Sequence, residues 1–315
     1  MPAEFAITPW HWAAFIGVIL FLLALDLGVF HKSAHVVTFR EALGWTSAWF
    51  VLAMCFAGLL VKIQTPEKAG LFVTGYIVEL SLSMDNVFVI AVIFRYFKVP
   101  TQFQHRVLFW GILGALIMRG VMIWAGAALV KQWEWLLYVL GAFLVFTGIK
   151  MIFTNNDGVD PEKNPVIRLA RRFFKVSSEF AGQKFMTRDG AGVLLTPLAI
   201  VLIMVETTDL VFALDSIPAI FGITTDPFII FTSNVFAILG LRSLYFVLAG
   251  AIAYFTLLKF GLSLVLVFIG AKMMGKHWFE IPTFVSLQIV AGIILTSIIA
   301  SFVLTRFRPP PKDGA

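Results

Sequence analysis

The chain is expected to be an all-α polytopic membrane protein of about nine transmembrane helices, six of them forming an inverted 3+3 helix repeat. Three observations predict it. Of its 315 residues, 60% are hydrophobic and only 13% charged, where a soluble domain carries about 25%. Apolar stretches near the roughly 20 residues that cross a bilayer recur along the chain. Two of these stretches hold related sets of carboxylates and are followed by matching landmarks.

The spans are read at 10–30, 44–61, 71–94, 107–130, 135–153, 192–221, 229–253, 258–275 and 283–305. The start, Met1-Pro2-Ala3-Glu4-Phe5, has no basic stretch, so the first segment is expected to stay as a span. Alternate loops hold 16 Lys and Arg on one side and 4 on the other, with 4 more inside spans. That imbalance puts the N-terminus outside and the C-terminus in the cytoplasm. The net charge of +6 reflects these loop residues and does not suggest nucleic acid. The single cysteine, Cys55, excludes a disulfide within the chain and a thiolate cluster.

In loop 154–191, Asn164-Pro165 is a helix start, and the apolar and basic residues up to Lys175 separate onto two faces. A short amphipathic helix on the membrane surface is expected, either a lipid sensor or a plain connector. The tail from Arg306 to Ala315 carries three consecutive prolines and reads as disordered.

The repeat is visible in spacing. Asp85-Asn86-Val87-Phe88 matches Asp209-Leu210-Val211-Phe212. Asp85 to Arg119 is 34 residues and Asp209 to Arg242 is 33; Arg119 to Lys150 is 31 and Arg242 to Lys272 is 30. Three spans per repeat make the second copy inverted, the plan of many secondary transporters with a midplane site. The chain then divides into two N-terminal helices (1–70), repeat 1 (71–153), the cytoplasmic loop (154–191), repeat 2 (192–275), and a C-terminal helix with its tail (276–315).

Five carboxylates lie inside the two motif spans: Glu79, Asp85, Glu206, Asp209 and Asp215. An ionisable group at that depth is a functional candidate by default. Glu206 and Asp209 share a helix face, whereas Asp85 lies six residues from Glu79, and Asp215 six from Asp209. All five reach one ion only if the helices break, and Ser81, Ser83, Thr207, Thr208, Ser216 and Pro218 suit such breaks. Asn86 either ligates or caps a break, and Asn234 is a further candidate oxygen. Arg119 and Arg242 are expected to pair with site carboxylates, in a structural or gating role. Lys150 and Lys272 suit snorkelling to the interface. Asp26 reads as a vestibule residue or merely interfacial.

Oxygen ligands of this kind suit Mn2+, Mg2+ or Ca2+, and Zn2+ or copper would call for His and Cys. His11, His31, His35, His105 and His277 lie in loops or span ends. Met84 and Met204 adjoin the acids and either favour Mn2+ or simply pack. Five carboxylates around one dication leave excess negative charge, so some must be protonated or paired when the site is empty, which suggests exchange of metal for protons.

At these residues the sequence resembles the TerC family of integral membrane proteins. Glu79 with Asp85-Asn86-Val87-Phe88 is similar to the family's first signature. Glu206-x-x-Asp209 followed by Asp215-Ser216-Ile217-Pro218-Ala219-Ile220 is similar to its second, and Ser233 to Arg242 to a third. The likeness covers roughly 10–305 and lies nearest the Alx-type bacterial members. It implies a multi-pass protein of the bacterial inner membrane, a superfamily of exporters with inverted repeats, and efflux of divalent metal, chiefly manganese. The metal-site residues are then Glu79, Asp85, Asn86, Glu206, Asp209 and Asp215, with Asn234, Ser216, Arg119 and Arg242 as further ligands or gates.

The expected function is therefore a secondary transporter, not an enzyme, with no tightly bound cofactor and Mn2+ as transported substrate. Its partners are the lipid bilayer, the dication and protons; the oligomeric state is left open. The alternatives are export of Ca2+, Mg2+ or another small solute, or a metallation or assembly partner without transport of its own. An intramembrane aspartyl protease is disfavoured, because Ser83-Met84 and Thr207-Thr208 stand where Gly-x-Gly-Asp is required. No Walker loop is present for direct ATP use.

Overall fold

The computed structural model describes residues 7–25, 38–153, 165–177, 179–189, 192–248, 257–278 and 281–307. In order these form α1 (Pro9–Leu25), α2 (Phe39–Ile63), α3 (Pro66–Tyr96), α4 (Thr101–Gln132), α5 (Leu136–Phe153), α6 (Pro165–Phe173), β1 (Met186–Asp189), β2 (Gly192–Leu195), α7 (Pro197–Phe221), α8 (Pro227–Leu248), α9 (Leu258–Gly275) and α10 (Thr283–Phe307). Among the described residues eight helices, α2–α5 and α7–α10, are long and apolar enough to cross a membrane. The shorter α1 is equally apolar over its 17 residues. The protein is an all-α polytopic membrane protein, as its composition predicts. Asp26 and the proline tail from residue 308 lie outside the described residues.

The helix starts follow from local chemistry. Thr38, Thr65 and Thr196 precede α2, α3 and α7, and each hydroxyl accepts a first-turn amide, from Glu41, Lys68 and Ala199 at 3.3, 3.2 and 3.4 Å. Such a cap satisfies an amide that has no partner within the helix. Pro66 and Pro197 occupy the first helical positions, where no N–H is needed. Before α8 the Asp226 carboxylate accepts from the Phe228 amide at 3.0 Å.

α8 is the central helix. It is buried almost all round from Phe228 to Tyr245, its polar Thr232, Ser233, Asn234 and Arg242 included. α2, α3 and α4 pack around it, and α7 lies against both α3 and α4. An aromatic cluster ties α1 and α2 to this core. Trp12 of α1 meets Phe228 edge-on at 5.2 Å, and Phe56 of α2 meets Phe236 at 5.1 Å, distances at which such pairs attract. On the other side α5 runs along α9. Glycines permit the approach: a methyl group at Gly148 would lie 2.8 Å from the Ser263 carbonyl oxygen, and one at Gly270 would lie 2.5 Å from that of Gly141.

Between α5 and α7 the structure adds an element that the sequence analysis missed. β1 and β2 pair antiparallel, Met186 opposite Leu195 and Asp189 opposite Gly192. α6 forms where predicted, and its Ile167 is 1% exposed in an apolar cluster with Val99, Leu195 and Leu198. The helix is therefore docked on the protein through this residue. Arg106 of α4 reaches toward the same segment, donating to the Gln183 side chain at 3.3 Å.

Candidate functional site

Glu79 and Asn86 are seven residues apart on α3, and Asp209 and Ser216 are seven apart on α7. Two helical turns separate each pair, so each lies along one stripe. The two stripes face each other where α3 crosses α7. α4 brings Arg119 to the crossing and α8 brings Asn234. All six side chains are buried; Arg119 is 2% and Asn234 1% exposed.

Arg119 is the hub. It grips Asp209 with two nitrogens, Nε to Oδ2 at 3.2 Å and Nη2 to Oδ1 at 3.0 Å. Its Nη1 donates to Glu79 Oε1, to Asn234 Oδ1 at 2.9 Å and to Ser216 Oγ at 3.3 Å. Two amides close the ring: Asn234 Nδ2 donates to Glu79 Oε2 at 3.2 Å, and Asn86 Nδ2 donates to Asp209 Oδ1 at 3.2 Å. The planar guanidinium fork suits this bridging of two carboxylates. With Glu79 and Asp209 ionised and Arg119 protonated, the cluster carries one net negative charge.

The remaining acids lie off this ring. Glu206, one turn before Asp209, has its carboxylate seated on Gly114 of α4. No side chain larger than glycine fits there without displacing it. Asp85 lies within electrostatic reach of Lys259 of α9. Asp215 lies near Thr147 and Lys150 of α5. Six residues of separation put Asp85 and Asp215 on other faces than Glu79 and Asp209, as helix geometry requires. Among the described residues no three His, Cys, Asp or Glu side chains are grouped as a metal site. The oxygens that do converge on Arg119 belong to two carboxylates, the Asn234 amide and the Ser216 hydroxyl.

The helix breaks expected in the motifs do not occur. α3 and α7 run unbroken through them. The hydroxyls thought to serve freed backbone groups instead bond back along their own helices: Ser81 to the Ile77 carbonyl at 2.7 Å, Thr207 to that of Ile203 at 2.6 Å, and Thr208 to that of Met204. Pro218 falls in the last turn of α7, where it removes the N–H that the Leu214 carbonyl would accept, yet the helix continues to Phe221.

Next to Asp209 is a small cavity lined by Asn86, Ile90, Gly111, Thr208 and Arg242, with room for about one water-sized guest. Its lining residues lie towards the end of the bundle that carries α6 and the hairpin. Arg242, which occupies in α8 the place that Arg119 occupies in α4 by repeat spacing, borders this cavity together with Asn86 and Asp209 of the ring. Thr147 and Lys259, neighbours of the outlying acids, are not among the residues expected at the site. No pattern along the chain marks either residue, since each matters only through a helix packed beside it.

Comparison with known proteins identifies the family of the chain. The family model described as integral membrane protein TerC family matches residues 64–309. A Myxococcus xanthus protein named "Uncharacterized membrane protein STKORF319" is 51% identical over 309 residues, covering 98% of this chain and 97% of its own length. A Salmonella typhi protein named "Putative membrane-bound redox modulator Alx" is 44% identical over 301 residues, covering 93% of this chain and 94% of its own. The protein of the same name in Escherichia coli strain K12 is 43% identical over the same length and shares. No solved structure matches the chain.

Proposed function

The chain belongs to the TerC family of integral membrane proteins, and from that premise we propose that it is a secondary transporter exporting a divalent cation, Mn2+ first among them. One observation carries this reading. Side-chain oxygens from α3, α7 and α8 converge, inside the bundle, on a single positive charge. Carboxylate, amide and hydroxyl oxygens without nitrogen or thiolate partners are the ligands of hard dications. In this reading Glu79, Asp209, Asn86, Asn234 and Ser216 receive the ion. Glu206 adjoins them. Asp85 and Asp215 serve as proton-carrying or relay groups beside the path, which gives exchange of the metal for protons.

The inverted-repeat reading draws support from a reciprocity in the packing. Aligning Lys150 with Lys272 makes Gly148 equivalent to Gly270, and Gly141 equivalent to Ser263. At the α5–α9 crossing Gly148 meets Ser263 and Gly270 meets Gly141. Contacts between swapped equivalents are what a pseudo-two-fold axis produces. An axis in the membrane plane is the usual setting for a midplane site shared by two repeats. The loop charges orient the bundle with α6 and the hairpin in the cytoplasm of a bacterial cell.

The relatives' name raises a redox role as a second reading. A dithiol couple within one chain needs two cysteines, and this sequence has Cys55 alone. A redox effect would therefore act through the transported metal or through another protein. Purified protein in liposomes tests the primary reading. Mn2+ flux that depends on the protein, falls at least tenfold with Asp209→Asn and follows an imposed proton gradient is expected. Absence of protein-dependent flux of any divalent metal removes the reading.

A further inference from the structure

Taking the transport reading as its base, we propose that Arg119 is a tethered competitor of the transported cation, so that guanidinium and metal alternate on the same oxygens. The acceptors of Arg119 are Glu79 Oε1, both Asp209 carboxylate oxygens, Asn234 Oδ1 and Ser216 Oγ. Five oxygens from three helices thus surround one cation, close to the six or more that a hard dication collects once water is added. A dication bonded to these oxygens at about 2.0–2.6 Å fills the space in which the guanidinium nitrogens now sit. The two cannot share the ring.

Charge gives the same answer. Glu79, Asp209 and Arg119 sum to minus one. A dication entering beside a resident guanidinium would make the buried ring net positive. With the guanidinium withdrawn, the dication and the two carboxylates are neutral, the least costly total in a low-dielectric interior. Arg119 therefore lowers metal affinity and, by returning to its acceptors, drives release. It also keeps two facing carboxylates compensated while no metal is present. The arrangement limits how tightly the site can hold its cargo, which is what a carrier needs for turnover.

The test is Mn2+ binding by titration calorimetry on purified full-length protein, with flux in liposomes measured in parallel. Arg119→Gln is expected to bind Mn2+ at least tenfold more tightly than wild type and to lose at least tenfold in flux. Arg119→Lys should fall between, because a point charge cannot span both carboxylates. Should Arg119→Gln fail to fold, Glu79→Gln is compared with Glu79→Gln plus Arg119→Gln, a pair in which one carboxylate is already neutral; the same tightening is expected. Binding lost with Asp209→Asn but unchanged or weakened by removal of Arg119 overturns the competitor assignment and leaves the transport reading standing. No Mn2+ binding and no flux in wild type overturns both.

Discussion

Arg119 and Asp209, 90 residues apart in sequence, meet side-on inside the bundle, two guanidinium nitrogens against two carboxylate oxygens at 3.0 and 3.2 Å. Removing one member of such a buried pair leaves a charge uncompensated, at a cost of about 3–5 kcal/mol. Arg119→Gln, which leaves Glu79 and Asp209 both uncompensated, is expected to destabilise the protein by about that amount, and Asp209→Asn by less, because Glu79 still balances Arg119. The double variant should cost clearly less than the sum, because removing Arg119 strands only Glu79 once the Asp209 carboxylate is gone. Denaturant unfolding in micelles measures the cycle; strict additivity would show that the pair is not coupled.

Transport should separate the ring from the periphery. Glu79→Gln and Asp209→Asn should raise retained manganese in cells at equal expression. Asp226→Asn, which breaks the Lys68–Asp226 bridge of 3.2 Å at the bundle end, should change efflux less than twofold. Both partners are about a quarter exposed, and pairs of that kind contribute about 0–1 kcal/mol. Equal loss in all three variants, measured by elemental analysis of washed cells, would contradict a site confined to the ring.

The α5–α9 crossing should tolerate no added volume. Gly270→Val is expected to destabilise by about 1–3 kcal/mol or more, since its side chain meets the Gly141 carbonyl and Leu144. Gly292→Val on α10, where nothing lies within 4 Å of an added carbon, should melt within a degree or two of wild type. Thermal melts of the two variants side by side make the comparison.

Orientation is open to thiol labelling. In a Cys55→Ser background, a cysteine at exposed Glu134 should react with an impermeant maleimide in intact cells. One at exposed Glu179 should react only after permeabilisation. The reverse pattern would invert the assignment made from loop charge.

Much of the fold was legible because bilayer physics leaves little choice. Nine apolar segments were read, and the described residues hold apolar helices at all nine places, with boundaries moved by a few residues. Boundary shifts are large at the starts of α2, α3 and α4, where polar first turns such as Phe39-Arg40-Glu41 continue the helix past the apolar stretch. The hairpin at Met186–Leu195 escaped because four-residue strands carry too short an alternation to read.

Site residues were legible as a set and not as a constellation. Apolar surroundings single out Glu79, Asp85, Glu206, Asp209 and Asp215 alike. Which of them meet depends on helix phase. The seven-residue spacings Glu79–Asn86 and Asp209–Ser216 were available in the sequence and mark the two stripes that converge on Arg119. The six-residue spacings to Asp85 and Asp215 mark the acids that turn away. Reading the motifs as broken helices hid this, because a break would have released the phase that an intact helix enforces.

The enclosed position of α8 has a consequence for how the protein is made. Among the eight long apolar helices it is the least apolar, since Thr232, Ser233, Asn234, Arg242 and Ser243 all lie within it. Such a segment gains little from lipid while it is alone. Its stable place arises only once α2, α3 and α4, all synthesised earlier, stand ready to enclose it. Biogenesis is then an ordered affair, in which the first half of the chain acts as the solvent into which the middle of the second half dissolves. Mutations that loosen the early helices should appear first as failed insertion of α8, in newly made chains that quality-control proteases remove before any cargo is carried.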